Sequence, residues 1–212
     1  MLGRMSFSSA ERAKMVALFH DLGPDAPTLC EGWTTRDLAA HLWVRENRLD
    51  ASAGLFVPAL SSRLEKATEE ALKHDFDELV DDWGRGAGKL NPFRYADKLV
   101  NSAEHFVHHE DIRRANGRTE AREFSHAAQK ELLLSLKTMG AGLLSKSRRP
   151  VVLEPVGFPP IVAADKHGVA EQGDDIVRVR GTVSEILLWA FGRDAAHVKI
   201  VGDKSAITRS SL

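Results

Sequence analysis

Glu104, His108 and Asp111 fall at positions i, i+4 and i+7 of a stretch, Ala96 to Ala115, that meets no Gly or Pro until Gly117. A carboxylate and an imidazole one helical turn apart can point at a single site, which is how a helix offers two ligands to one metal ion. A divalent ion held by two histidines and one carboxylate keeps a coordination position open, the arrangement of catalytic sites rather than structural ones. His41 is the natural third ligand. It falls two turns into an expected helix, between Leu38, Leu42 and Arg45, at the border of that helix's apolar face. Spacing alone leaves other readings open. His105 and His109 form a second i, i+4 pair in the same helix, either pair can be merely solvated, and a histidine on a helix is more often a hydrogen-bonded residue than a ligand. Helical phase favours Glu104 with His108, because Glu104 is expected nearer the apolar face than His105.

The elements that must position these residues follow from periodicity and caps. Leu99, Val100, Ala103, Phe106 and Val107 recur at helical spacing, so the ligand-bearing stretch reads as an amphipathic helix ending near Gly117. Ser8 with Glu11 has capping-box spacing and opens a first helix that closes at Gly23-Pro24. Asp25 to Trp33 reads as a packed loop. Thr34 caps a second helix, with Asp37 favouring its positive end, expected to run to about Phe56 and stop at Pro58. A third helix is expected over Arg63 to Trp83, with Ala67, Ala71, Leu72, Phe76, Leu79 and Val80 inward. Gly84, Gly86, Gly88 and Pro92 form the next connection, and a fifth helix spans Arg122 to about Leu144.

After Ser145 the pattern changes. Val151-Val152-Leu153 and Ile176-Val177-Arg178-Val179 are short β-rich runs, with Pro155, Pro159 and Pro160 between them. Thr182 to Phe191 reads as a short helix with Glu185 completing a capping box, and His197 to Val201 as a closing strand. The expected organisation is therefore an all-α domain over residues 1–146, followed by a small α+β module over residues 147–212.

Composition bounds the function. The chain has 212 residues, 43% hydrophobic and 28% charged, which suits a folded globular protein with a real core. A net charge of −1 gives no global basic field to recruit nucleic acid or an anionic membrane. The single cysteine, Cys30, fits a reducing compartment and reads as a small packed residue. No apolar run is long enough for a signal peptide or a membrane span, so a cytoplasmic protein without membrane or nucleic-acid partners is expected.

Two blocks carry a family resemblance. Cys30-Glu31-Gly32-Trp33-Thr34-Thr35-Arg36-Asp37-Leu38-Ala39-Ala40-His41-Leu42 resembles the C-x-G-W-T-x-x-D-L-x-x-H-L signature of the mycothiol-dependent maleylpyruvate isomerase family, which belongs to the DinB-like metal-binding four-helix bundles. Glu104-x-x-x-His108-x-x-Asp111 resembles the second signature of that family, and Phe106 to Ala115 is similar to one branch of it. The resemblance implies a zinc or other divalent ion on His41, Glu104 and His108, with the low-molecular-weight thiol mycothiol adding as a thiolate to a small electrophilic substrate. A metal-bound thiol loses its proton near neutral pH, so no separate base is needed. Asp111 could orient a ligand imidazole, or be a plain surface acid.

The stretch from Gly181 through Trp189, Gly192 and Arg193 to Gly202-Asp203 is similar to the sterol-carrier-like module that some members append. The isomerase uses an arginine from that module. Arg193 is the position nominated here, able to clamp a substrate carboxylate or simply to answer a helix dipole. Trp189, Leu187 and Leu188 are expected in the module's core. Maleylpyruvate itself does not carry over, because the branch differs from the isomerase around the second signature. The expected activity is a metal-dependent thiol transferase or isomerase. The competing expectations are a non-catalytic small-molecule-binding protein using the C-terminal module, and a structural bundle acting through oligomer contacts.

Overall fold

The fold is given by a computed structural model that describes residues 6–52, 54, 57–86, 98–165, 168 and 175–210. Packing divides the chain into two compact units, Met1–Asn101 with His108–Arg118, and Ser102–Val107 with Thr119–Leu212. The first is helical and the second combines helices with a small mixed sheet.

In the first unit α1 covers Phe7–Leu22 and α2 covers Thr35–Asn47. A short α3 (Leu49–Ser52) follows, then α4 (Ser61–Ala71) and α5 (Phe76–Gly84). The helix α6, Lys98–Ala115, is continuous and is shared between the units.

Local chemistry accounts for these boundaries. The cap of α1 is Ser6, whose hydroxyl accepts from the Ser9 amide at 3.2 Å, and not Ser8. Glu11 therefore lies a full turn inside the helix, where it is fully buried. Thr34 and Asp37 behave as the sequence implies: the Asp37 carboxylate accepts from both the amide and the hydroxyl of Thr34 at 2.8 Å. The second helix stops at Asn47 rather than near Phe56, because Arg48 leaves helical geometry (φ −113°, ψ 75°) and its guanidinium turns to Asp50 and Glu70. Phe56, Gly88 and Pro92 lie outside the described residues. The single helix expected over Arg63 to Trp83 is two. Asp75 interrupts it by accepting from the amides of Asp77 and Glu78 at 3.0 and 3.1 Å, which starts α5 afresh.

The core of this unit forms around Phe19, which meets Phe76 and Trp83 edge-on at ring distances of 6.1 and 6.2 Å. Leu38, Leu42, Ala67, Ala71, Leu79 and Val80 close around them, all buried. One charged pair sits at the edge of that core. Arg12 donates to both carboxylate oxygens of Glu46 at 2.8 and 2.7 Å, and Trp83 Nε1 donates to the same carboxylate at 3.0 Å. Glu46 is 3% exposed, so its charge depends on donors from the protein.

In the second unit α7 covers His126–Leu144 and α8 covers Val183–Ala190. The strands are β1 (Val151–Pro155), β2 (Ile161–Ala164), β3 (Val177–Gly181) and β4 (Lys199–Val201), in the order β2-β1-β3-β4. The central pair β1/β3 is parallel and both edges are antiparallel. The edge strand β2 is not foreseen by the sequence reading, since Pro159 and Pro160 precede it and it pairs on one side only. The helix α7 packs against α8 and β2, so by packing it belongs with the sheet, although composition changes only near residue 147. It begins at His126, under the Ser125 cap, and not at Arg122. Phe124 instead packs edge-on against Phe106 at 5.8 Å with the Arg122 guanidinium 4.9 Å above its ring.

Thr182 caps α8 by accepting from the Glu185 amide. The buried Glu185 carboxylate accepts from the amide of His197 at 2.7 Å, so it ties α8 to the segment before β4. Gly202 turns the chain after β4 at φ +110°, where a Cβ would lie 2.7 Å from the carbonyl oxygen of Ile176. Among the described residues, no helix is long and apolar enough to cross a membrane.

Two outcomes follow from the first unit. Glu46→Ala should destabilise the protein by about 3–5 kcal/mol, because it removes the carboxylate that pairs with the Arg12 guanidinium and accepts from the indole; urea unfolding reads this directly. His20 bonds Asp77 at 2.9 Å and Asp81 at 3.0 Å, and these carboxylates, Asp77 foremost, raise its pKa above the ordinary 6.5. Its stabilisation is therefore complete below pH 6.5 and fades as pH rises through the higher folded value. At this exposed site the effect should be about 0.5 kcal/mol or less, and His20→Gln should flatten that part of the stability–pH curve.

Candidate metal centre

Two chain segments build the site: the loop and capped start of α2, and the middle of α6. The loop before α2 is folded on its own backbone. The Thr28 hydroxyl donates to the Trp33 carbonyl at 2.9 Å, and Thr28 and Trp33 also pair through the Thr28 amide at 3.2 Å. The same loop is fastened to α6. The Leu29 amide donates to the Asp111 carbonyl at 3.2 Å, and Asn116 Nδ2 donates to the Pro27 carbonyl at 3.0 Å. The Thr34–Asp37 cap then fixes where α2 begins and hence which way His41, seven residues on, projects.

His41 and His108 meet ring to ring, centroids 5.5 Å apart at an interplanar angle of 71°. Glu104 is one turn before His108 on the same continuous helix. Each of the three offers a ligand atom, and these atoms lie within 4.8 Å of one another. All three side chains are half-buried. Two imidazoles and one carboxylate at this separation fit a divalent ion with metal–ligand bonds of about 2.0–2.2 Å and leave a coordination position over.

Asp111 is fully buried, and its Oδ2 lies 3.0 Å from Nδ1 of His108. A carboxylate on Nδ1 holds the proton there and leaves Nε2 as the nitrogen free to bind a metal. Asp111 is therefore a buried residue bonded to His108 and not a surface acid. Cys30 lies within this arrangement, its thiol donating to the same Oδ2 at 3.3 Å and its sulfur 3.9 Å from Nδ1 of His108. Cys30, His108 and Asp111 thus form a second group of ligand-type atoms within 4.8 Å. Trp33 packs its ring 5.1 Å from that of His41 and remains 37% exposed, an aromatic flank beside the site.

The rival pair occupies a different environment. His105 is 0% exposed and His109 5%, so His105 is more deeply buried than Glu104, against the phase argument. The reason is that α6 is enclosed on nearly all sides rather than amphipathic, with Ser102, Ala103, Phe106, Val107 and every residue from His109 to Arg114 buried. The charges along it are matched. Nδ1 of His109 bonds Glu11 at 2.8 Å, and Glu110 takes Arg113 at 3.0 Å and Arg114 at 2.7 Å.

Arg193 lies in the second unit, half-buried just beyond α8, where Nη1 donates to the Phe191 carbonyl at 2.7 Å. That is the contact of a cation at a helix C-terminus. Trp189 is core as expected, 4% exposed, with the Arg209 guanidinium 5.3 Å over its ring. Two participants escape sequence reasoning: Cys30 was read as packing and Glu11 as half of a capping box. The contacts that distinguish them reach far along the chain, from Cys30 to Asp111 and from Glu11 to His109.

Residues 8–98 match the family described as the mycothiol maleylpyruvate isomerase N-terminal domain. The fold is similar to the crystal structure of the mycothiol-dependent maleylpyruvate isomerase, with a TM-score of 0.56 and 16% identity over 96% of this chain and 92% of that one. A histidine-to-alanine mutant of that isomerase aligns equally well, with a TM-score of 0.56 and 14% identity over the same shares. No curated protein sequence matches the chain. The stretch of this protein that carries His41 and the loop before it, residues 8–98, is thus similar to the mycothiol maleylpyruvate isomerase N-terminal domain.

Proposed function

We propose that the protein is a metal-dependent enzyme that uses a low-molecular-weight thiol, mycothiol by family, to isomerise a small electrophilic substrate or to transfer the thiol to it. The observation that carries this reading is the approach of His41, Glu104 and His108 to within 4.8 Å, with all three side chains half-buried. Zinc suits the donor set, and the helical unit is read as a DinB-like four-helix bundle. When bound, the metal would supply a thiolate at neutral pH by lowering the thiol's pKa.

The chain's own residues do the rest. Asp111 keeps the His108 proton on Nδ1 and so presents Nε2. Trp33 forms an apolar flank beside His41 that would shed water from the acyl or alkene part of a substrate. In this reading Arg193 exchanges its bond to the Phe191 carbonyl for a substrate carboxylate.

Protein purified without a histidine tag should carry about one equivalent of a divalent metal. Less than about one-tenth of an equivalent after reconstitution, measured by mass spectrometry of the elements, would overturn the reading. His41→Ala and Glu104→Gln should each abolish stoichiometric binding. Asp111→Asn should keep the fold and lower metal affinity by about 10–100-fold, read by chelator competition. Cobalt-substituted protein should develop a sulfur-to-metal charge-transfer band when a thiol is titrated in, which is the test of the open position.

A further inference from the structure

We propose that Cys30 is a positioning residue of the metal centre, acting on His108 through Asp111. The proposal rests on the metal reading above and adds a residue to it. Oδ2 of Asp111 is shared: Nδ1 of His108 stands 3.0 Å from it and the Cys30 thiol donates to it at 3.3 Å. Asp111 is fully buried, so its oxygens depend on donors from the protein. Rotation of the carboxylate would carry Oδ2 away from His108, and a second donor on that oxygen opposes the rotation. A thiol is a weak donor, so its effect depends on how firmly it is held.

The sulfur is held firmly. The Cys30 amide donates to the Thr28 hydroxyl at 3.2 Å. The neighbouring Leu29 amide donates to the backbone carbonyl of Asp111 itself at 3.2 Å. The loop therefore grips both the main chain and the side chain of one residue of α6, and that residue in turn grips a metal ligand. The competing arrangement makes Cys30 a direct ligand together with His108 and Asp111, whose atoms also lie within 4.8 Å. It would have to displace the proton that joins Nδ1 to Oδ2. His108 serves His41 and Glu104 through Nε2 only while that proton stays.

The test compares the full chain with Cys30→Ala, Cys30→Ser, Asp111→Asn and the Cys30→Ala/Asp111→Asn double variant. In metal-free protein, nitrogen NMR of the His108 ring should show the Nδ1–H tautomer in wild type and in Cys30→Ser, whose hydroxyl can donate to the same oxygen. In Cys30→Ala it should show a mixture of tautomers. Cobalt affinity by chelator competition should fall about tenfold in Cys30→Ala, recover in Cys30→Ser, and show no further loss when Cys30→Ala is added to Asp111→Asn. Three results would overturn the proposal: an unchanged tautomer in Cys30→Ala, the same tenfold loss on the Asp111→Asn background, or a sulfur-to-cobalt band in wild type without added thiol. Should wild type bind no cobalt at all, it is the metal reading that fails, and the tautomer measurement still decides the role of Cys30.

Discussion

The hydrogen bond between Asp111 and His108 is the contact on which the proposed chemistry turns. An imidazole has two nitrogens and a free choice of tautomer, and it becomes a directional ligand only when something fixes the proton on the far nitrogen. In the proposed site Asp111 would do so from a fully buried position, and the loop ahead of α2 fastens to the same residue through the Leu29 amide. One residue of α6 thus joins the two segments that supply the histidines. What the fold provides is therefore registration: a loop and a helix held at a fixed offset so that His41 and His108 face each other.

Enclosure of α6 serves the same end. A helix buried all round loses the usual cue that sets its rotation, a dry face against a wet one. Here rotation is set by charge matching. His109 finds Glu11 on α1, Arg45 on α2 reaches Asn101, and Glu110 is occupied by Arg113 and Arg114 of its own helix. The Glu110 pairs travel with the helix, but turning α6 by even one residue would part His109 from Glu11 and Arg45 from Asn101, both contacts to other helices. Glu104 and His108 thereby keep their direction without spending apolar surface on it.

What could be read from the sequence was whatever depends on neighbours in the chain. The Thr34–Asp37 cap, the i, i+4 spacing of Glu104 and His108, the inward stripe from Ala67 to Val80 and the cap of α8 at Thr182 are local, and each has a physical reason that works within one or two turns. The errors are of one kind. The break at Asp75 lies inside a stripe whose phase continues across it, so periodicity carries straight through. Arg48 ends α2 with contacts to Asp50 and Glu70 that no helix-stop residue announces. The edge strand β2 hides behind two prolines. His105 looked like the more exposed of two candidates because the phase argument assumes a wet side, and α6 has almost none.

The cap that begins α2 has a consequence for how this sequence can vary. Thr34 and Asp37 pin the first turn, Cys30 is anchored just before it, and His41 projects seven positions after it. Because each residue of a helix advances the side-chain direction by about 100°, deleting or adding a single amino acid between Asp37 and His41 would swing the imidazole to another side of the helix. Chain length between those anchors is thus as tightly specified as the identity of the histidine.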